Sequence, residues 1–205
     1  MKTPFGHLTY CTNIHSDESR EDHFTQLQQH VPTIKNSFSS QAPMGIGLRL
    51  SNEASIDLAA KGAIDVFKSW LSQHHCYVFT LNGFPYGGFH HMVVKDNVHT
   101  PDWLTSERVE YTKRLAHILA QLLPESLDGG ISTSPLSYRF WFEGEEAQKE
   151  AMGKATQNIL VVLQTLIQLK KETGKTIHLD IEPEPDGLLE TGTEFINWYK
   201  EVLQP

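Results

Sequence analysis

The sequence has little cysteine and none of the short motifs that mark several common enzyme classes. Its two cysteines, Cys11 and Cys76, have a spacing that matches no metal-binding or redox pattern. We expect both to be reduced and buried as small apolar side chains. A phosphate-binding loop, a Gly-x-Ser-x-Gly nucleophile elbow and a dinucleotide-binding glycine pattern are all absent, which excludes the enzymes that depend on them.

Long apolar runs and an excess of positive charge are also absent. No stretch approaches the roughly 20 apolar residues of a membrane-spanning helix, and the first residues lack the apolar core of a signal peptide. We therefore expect a cytoplasmic protein with no direct membrane insertion. The 17 basic and 25 acidic residues give a net charge of −8, which argues against nucleic acid or an anionic membrane surface as the main partner.

The sequence alternates between short apolar runs and amphipathic segments, in five strand–helix units. The predicted strands are 8–12, 46–50, 77–81, 130–133 and 176–181. We expect Pro32 to kink or divide the first helix, Gly174 to end the fourth, and Thr191 with Glu194 to form a capping box on the fifth. The apolar face predicted for the second helix consists of Ile56, Ala60, Ala63, Phe67 and Leu71.

This alternation predicts an α/β fold in which helices cover a parallel sheet. Two architectures compete, an open doubly wound sheet and a (β/α)8 barrel of the TIM type. The long loops all follow strands, whereas the returns from helix to strand are mostly short, as in a barrel with one functional face. We favour the barrel, with about five βα units in this chain. In both architectures the ligand lies at the carboxyl ends of the strands.

The strongest functional signal is Glu182, directly after the fifth predicted strand. A carboxylate at this position must be solvated, paired or bound to a cation, because burying it bare is costly. Carboxylate oxygens are suitable ligands for Mg²⁺ and Mn²⁺, and together with imidazole they also suit Zn²⁺. The competing interpretation is a structural ion pair between Glu182 and Arg49 or a lysine.

Other polar residues follow the same set of strands and are weaker candidates. We predict substrate contacts for Glu184, for His15 and for Asn82, and for His90 within the pair His90–His91. Asp180 shares the facing of Glu182 along the strand, so we expect it to fill the barrel interior or support Glu182. No role is assigned to His178, and the catalytic residues stay unknown.

Aromatic residues are concentrated in two of the loops that follow strands, at 84–89 and 138–142. Two interpretations are equally supported by the sequence. The rings could form a stacking platform for a ring-shaped ligand, or they could pack a long loop onto the rim of the barrel.

Several blocks of the sequence resemble a known family. The segment IHLDIEP at 177–183 resembles the fifth strand of the xylose isomerase-like barrel superfamily, which includes sugar-phosphate isomerases and epimerases. The blocks that resemble the EboE family within it are HLTYCTNIH at 7–15, GIGLRLS at 45–51, FTLNGFPYG at 79–87, EPEP at 182–185 and LLET at 188–191. EboE proteins are described as metabolite-traffic proteins that act with partners moving a secondary-metabolite precursor out of the cytoplasm.

This resemblance implies that Glu182 is a ligand of a divalent metal ion, Mn²⁺, Mg²⁺ or Zn²⁺. Its further implication is an isomerase or epimerase that acts on a small sugar-like or carbonyl metabolite. The alternative is a non-catalytic or accessory metabolite-binding component of a secondary-metabolite export pathway. A metal-dependent nuclease on the same barrel is disfavoured by the acidic net charge.

The sequence also departs from the superfamily pattern. There, further metal ligands come from strands six to eight, which follow the last unit seen here. We therefore expect residues 1–205 to form a single domain that is the N-terminal part of such a barrel. Its open sheet edge would be covered by the rest of the barrel, by a homodimer contact or by partner proteins of the export pathway.

Overall fold

A computed structural model describes residues 1–15, 20–38, 41–87 and 95–204, without the side chains of residues 20–22 and 95. Its centre is a five-stranded parallel sheet in which the strands neighbour one another in chain order. These strands are β3 (Thr9–Cys11), β4 (Met44–Arg49), β5 (Cys76–Asn82), β6 (Gly129–Thr133) and β7 (Ile177–Ile181). A small antiparallel hairpin of β1 (Lys2–Thr3) and β2 (Gly6–His7) precedes them.

Helices follow the strands and cover one face of the sheet. Their bounds are Arg20–Phe38 for α1, Asn52–Ala59 for α2, Ala63–Gln73 for α3, Ser106–Leu122 for α4, Gly144–Thr173 for α5 and Gly192–Trp198 for α6. A π-helical turn, Tyr199–Leu203, continues α6. The core lies between this helical layer and the sheet, where Ile46, Leu48, Val78 and Ile131 are fully buried.

The strand order decides between the two predicted architectures. A doubly wound sheet reverses its strand order at a switch point and carries helices on both faces. Here the order runs β3-β4-β5-β6-β7 without reversal, and side chains on the face away from the helices, such as His178 and Asp180, are about half exposed. The fold is therefore a partial (β/α) barrel, as predicted, with β3 and β7 as its two edges among the residues described.

Two local predictions were wrong, and a third was wrong in part. Of the two effects expected of Pro32, division of the first helix does not occur, because α1 runs through it from Arg20 to Phe38. The second predicted helix is two helices, since the chain leaves the helical path at Ala60–Gly62, where Gly62 has a φ of 81°. Ile56 and Ala60, expected to be buried, are exposed.

The prediction for cysteine was half right. Cys76 is buried at the start of β5, and burial raises the pKa of its thiol to about 11. Cys11 is exposed. It pairs in register with Gly47 on β4, so it lies on the same face of the sheet as Gly47, opposite the buried Ile46 and Leu48. Cys11 is also the last residue of β3, which is an edge strand of the sheet among the residues described.

Gly174 ends α5 in the left-handed conformation that the sequence predicted, with a φ of 74°. A Cβ added there would meet no atom within 4 Å, so substitution costs only backbone strain. Gly174→Ala should lower the free energy of unfolding by about 1 kcal/mol. Gly153 lies inside the same helix, also with open space around it, and Gly153→Ala should raise that free energy by about 0.5–1 kcal/mol.

Chemical denaturation of the two variants measures both changes. Because the two variants probe one helix with the same substitution, a change in the free energy of unfolding in the same direction for both would show that the conformation of the C-cap does not govern the end of α5.

Among the helices described, none is long and apolar enough to cross a membrane.

Candidate functional site

The concave face of the sheet, opposite the helices, carries polar side chains on its last two strands. On β7, the alternate residues Ile177, Leu179 and Ile181 line an apolar cavity of about 450 Å³ against α5 and α6. Because side chains alternate along a strand, His178 and Asp180 lie on the other face. A Cβ built on Gly130 of β6 would approach both of them, at 2.7 and 2.6 Å, so these two side chains lie across that glycine.

Glu182 continues this face just beyond the end of β7. Its backbone N–H donates to the carbonyl oxygen of Thr133 at 2.9 Å, which extends the ladder with β6 by one residue. The Ser132 side chain lies close enough to the Glu182 carboxylate to lower its pKa. Burial raises the pKa of Glu182, and the carboxylates of Glu184 and Asp180 raise it further, against the effect of Ser132. The site is therefore a cluster of three acidic groups.

No basic side chain neutralises Glu182 in the part of the chain that the structure describes. Arg49, the ion-pair partner considered from the sequence, lies on β4, with β5 and β6 between it and β7, and donates from Nη2 to the carbonyl oxygen of Gly87. The ion pair expected under the competing interpretation is not formed among these residues. An acidic cluster without a basic partner is an environment that favours binding a cation.

Glu184 belongs to a tight loop that leads from β7 to α6. Its carbonyl oxygen accepts from Gly187 N at 3.0 Å, and Asp186 within the turn has a φ of 63°. This loop pairs with the loop after β6 through a bridge between Tyr138 and Gly187 and a hydrogen bond from Leu188 N to Ser137 O. Glu184 is thereby held beside Glu182, as its effect on the Glu182 pKa shows.

His178 and Ser132 are the residues that sequence reasoning missed. The imidazole Nδ1 of His178 and Oδ1 of Asp180 form a hydrogen bond of 2.7 Å, so the acid orients the ring. The period of two along the strand, with His178, Asp180 and Glu182 at alternate positions, was the available signal. Ser132 pairs in register with Asp180 on the neighbouring strand, and only the sheet pairing reveals that proximity.

Asn82 lies at the same end of the sheet, in register with Ser132. Its side-chain oxygen accepts a hydrogen bond from Phe84 N at 2.9 Å, so this atom shapes the loop after β5. The substrate contact predicted for Asn82 stays a prediction. His90, the other residue predicted on that loop, lies outside the described residues.

The structure does not bring His15 to the acidic cluster. His15 is buried, its Nε2 is 2.9 Å from the hydroxyl of Tyr10, and its ring stacks on His30 of α1 with centroids 4.9 Å apart. Tyr10 pairs in register with the core residue Ile46, so this contact lies on the helix-covered face. β3 and β7 are also opposite edges of the sheet. The predicted contact of His15 with a substrate shared with Glu182 gains no support.

Metal ligation at this site would begin with Glu182 and its neighbours. Within residues 1–15, 20–38, 41–87 and 95–204, no group of three or more histidine, cysteine, aspartate or glutamate side chains is arranged to hold a metal ion. The chemistry of the carboxylate cluster suits a hard divalent cation. The described residues by themselves therefore form no metal site of three such side chains.

Comparison with known proteins adds little to this geometry. No family model matches the chain, and no curated protein matches it. Among solved structures it is similar to a chain described as the IOLI protein with a binding zinc atom, with 14% identity and a TM-score of 0.49. The match covers 95% of this chain and 59% of that one. So distant a likeness carries neither the zinc nor an activity over to this protein.

Proposed function

We propose that this chain is the N-terminal part of a xylose isomerase-like barrel protein that binds a divalent metal ion through Glu182. The reaction would be an isomerisation or epimerisation of a small sugar-like or carbonyl metabolite. The observation that carries the proposal is the cluster of Asp180, Glu182 and Glu184 at the end of β7, without a basic partner in the described part of the chain. Residues 1–205 would form a single domain of that barrel.

The roles of the residues follow from their contacts. Ser132 lies beside the Glu182 carboxylate and favours its ionised form. Asp180 holds Nδ1 of His178 and so fixes the orientation of the imidazole on the concave face. A bound divalent cation would polarise a carbonyl or a hydroxyl pair of the substrate. Glu184, on the loop above, lies where it could accept a hydrogen bond from a hydroxylated ligand.

A second candidate function is a metabolite-binding component that performs no reaction, as in a secondary-metabolite export pathway. Its specific support is the incomplete ligand set, since the described residues contain no group of three metal-ligating side chains. In that case the three carboxylates would recognise hydroxyl or amino groups of the metabolite directly. Partner proteins of the pathway, or a second copy of the chain, would then complete the barrel edge.

Glu182→Gln should change stability in opposite directions with and without metal. In the absence of metal, folding disfavours the ionised carboxylate, because the pKa of Glu182 is raised in the folded state. This loss of stability is absent below the unfolded-state pKa of about 4.3. It grows as pH rises above that value and through the raised pKa of the folded state. The variant should therefore unfold at a higher temperature than wild type at pH 7, and at the same temperature well below pH 4.

Adding Mn²⁺, Mg²⁺ or Zn²⁺ should reverse that order. At a metal concentration roughly 100 times the dissociation constant, wild type gains about 2.7 kcal/mol and the variant gains much less. Calorimetric titration and thermal unfolding of the protein with its whole barrel measure both quantities. Glu150→Gln, on the exposed side of α5, is the control and should bind metal as wild type does. Equal metal stabilisation of wild type and Glu182→Gln would reject the proposed ligand, and no binding at all would favour the metabolite-binding function.

A further inference from the structure

Three aromatic rings form a corner on the loop after β6, at the rim of the barrel. The Tyr138 ring contacts Phe140 and Trp141 edge to face, with both centroid distances 5.6 Å and interplanar angles of 64° and 62°. Phe140 is 66% exposed and Trp141 is 39% exposed. Apolar rings of this size are costly to expose, so their joint exposure is a feature that packing of the loop does not account for.

The corner is held rigidly by its neighbours. Trp141 Nε1 donates to Oδ2 of Asp96 at 2.9 Å, and Tyr138 is fixed by its bridge to Gly187. His99, 4% exposed, lies beneath, with its ring centroid 5.6 Å from that of Tyr138 and 6.4 Å from that of Trp141. A ligand would therefore meet rings already in position, which reduces the entropy cost of binding.

Acidic groups surround these rings. Burial raises the pKa of Tyr138, and the carboxylates of Asp186 and Asp96 raise it further. The neighbouring cation, Arg139, directs its guanidinium to Glu190 and Glu194, at 3.5 and 2.7 Å. The charge of Arg139 is therefore balanced by these two carboxylates.

Trp141 also borders an open cavity of about 490 Å³ that extends towards the start of α4. The described residues that line it include two acids, Asp102 and Glu107, and no base. Space for a small molecule is therefore available beside the indole.

We propose that Tyr138, Phe140 and Trp141, flanked by Asp96 and Asp186, bind a small organic cation of the quaternary ammonium type. The faces of aromatic rings attract such cations, and the attraction grows when several rings and a carboxylate meet the same charge. A neutral sugar ring is the less suitable ligand, because it stacks on one flat open face, whereas these rings meet at about 60°. This site does not depend on metal binding at Glu182.

Trp141 provides the signal for the test. The other three tryptophans, Trp70, Trp103 and Trp198, are buried, so a soluble ligand that touches an indole at the surface reports on Trp141. Titration with tetramethylammonium should change the tryptophan fluorescence saturably, with a dissociation constant of order 1 mM, as expected for a weak site that orders few groups. The neutral isostere of choline, 3,3-dimethylbutanol, should bind at least about fivefold more weakly, because it lacks the charge.

Substitutions test whether the fluorescence change comes from binding at Tyr138, Phe140 and Trp141. Phe140→Leu should weaken tetramethylammonium binding about fivefold, and Asp96→Asn combined with Asp186→Asn should weaken it and reduce its dependence on salt. Asparagine suits both positions, since it can accept the Trp141 N–H and tolerates a positive φ. Phe5→Leu removes a fully exposed phenylalanine in the turn of the β1–β2 hairpin and should leave binding unchanged.

Three results would overturn the proposal. They are the absence of saturable binding, equal binding of the cation and its neutral isostere, and binding of a neutral methyl pyranoside in preference to tetramethylammonium. The last result would identify the corner as a platform for sugars. Circular dichroism of each variant shows whether a lost signal comes from unfolding, and the Asp96 and Asp186 changes, which preserve the rings, keep the test decisive if Phe140→Leu is unstable.

Discussion

Arg108→Met is expected to lower the free energy of unfolding by about 3 kcal/mol. Arg108 is fully buried in α4. Its Nε donates to the carbonyl oxygen of Pro101 at 2.8 Å, and its Nη1 donates to those of Gly83 and Phe84 at 2.7 and 3.0 Å. Methionine would leave these three carbonyls without their donor, and each buried unsatisfied group costs about 1–3 kcal/mol.

Part of that loss is offset, because Arg108 itself is costly to bury. Burial lowers its pKa to about 10, and its charge is balanced by the faces of Tyr86 and Tyr111, whose ring centroids lie 5.8 and 5.6 Å from Cζ. Removing the charge recovers the desolvation energy. The carbonyls belong to segments on both sides of the long loop after β5, so the variant should also loosen that rim of the site.

The matched control is Arg114→Met, two turns further along the same helix. Arg114 is half-buried, and its Nη1 donates to the side chains of Asn52 and Ser55, both at 2.9 Å. Those side chains can turn towards water, so the loss should be about 1 kcal/mol. Urea unfolding monitored by circular dichroism measures both variants. Similar losses at the two positions would show that the buried carbonyls do not need the guanidinium.

Trp103→Ala is expected to lower the free energy of unfolding by about 4 kcal/mol. Trp103 is fully buried, and its indole Nε1 donates to Oγ1 of Thr133 at 3.1 Å, at the end of β6. Its backbone joins two other segments, because its N–H donates to Leu136 O at 2.9 Å and its carbonyl accepts from Asn158 of α5 at 2.7 Å. Alanine would leave a large cavity beneath the loop that leads to the acidic cluster.

Two further substitutions show how much of the loss at Trp103 comes from its hydrogen bond and how much from its burial. Trp103→Phe keeps most of the volume and loses the hydrogen bond to Thr133, so it should cost about 1–2 kcal/mol and serves if the alanine variant does not fold. Trp141→Ala removes a partly exposed indole and should change stability by about 0.5 kcal/mol. A loss at Trp141 as large as that at Trp103 would contradict the burial that distinguishes them.

The acidic cluster could be predicted in part from the sequence. Asp180, Glu182 and Glu184 are alternate residues of one short segment, and the period of a strand is enough to put the first two on one face. Ser132 could not be assigned to the site, because it is 50 positions away and reaches Glu182 only through the pairing of β6 with β7. His15 was predicted at the site for its position after a strand, but its side chain packs against α1.

The two aromatic loops also show what could be predicted from the sequence and what could not. From composition alone, the segments at 84–89 and 138–142 were equal candidates for packing or stacking. In the structure, Phe84 is buried against His99, and Tyr86 packs on Tyr111, so the described part of the first segment packs the loop. Phe140 and Trp141 of the second segment face solvent. Whether each aromatic segment packs the loop or faces solvent depended on elements that are distant from it in the sequence.

The sequence by itself determined the features that neighbouring residues settle among themselves. The capping box of Thr191 with Glu194 and the left-handed Gly174 both depend on groups within one or two turns. Only the tertiary structure decided that Cys11 is exposed while Cys76 is buried, that Arg108 satisfies carbonyls some 25 positions away, and that Glu182 has no basic partner among the described residues. Those outcomes depend on which face of the sheet the helices cover, and the whole core sets that choice.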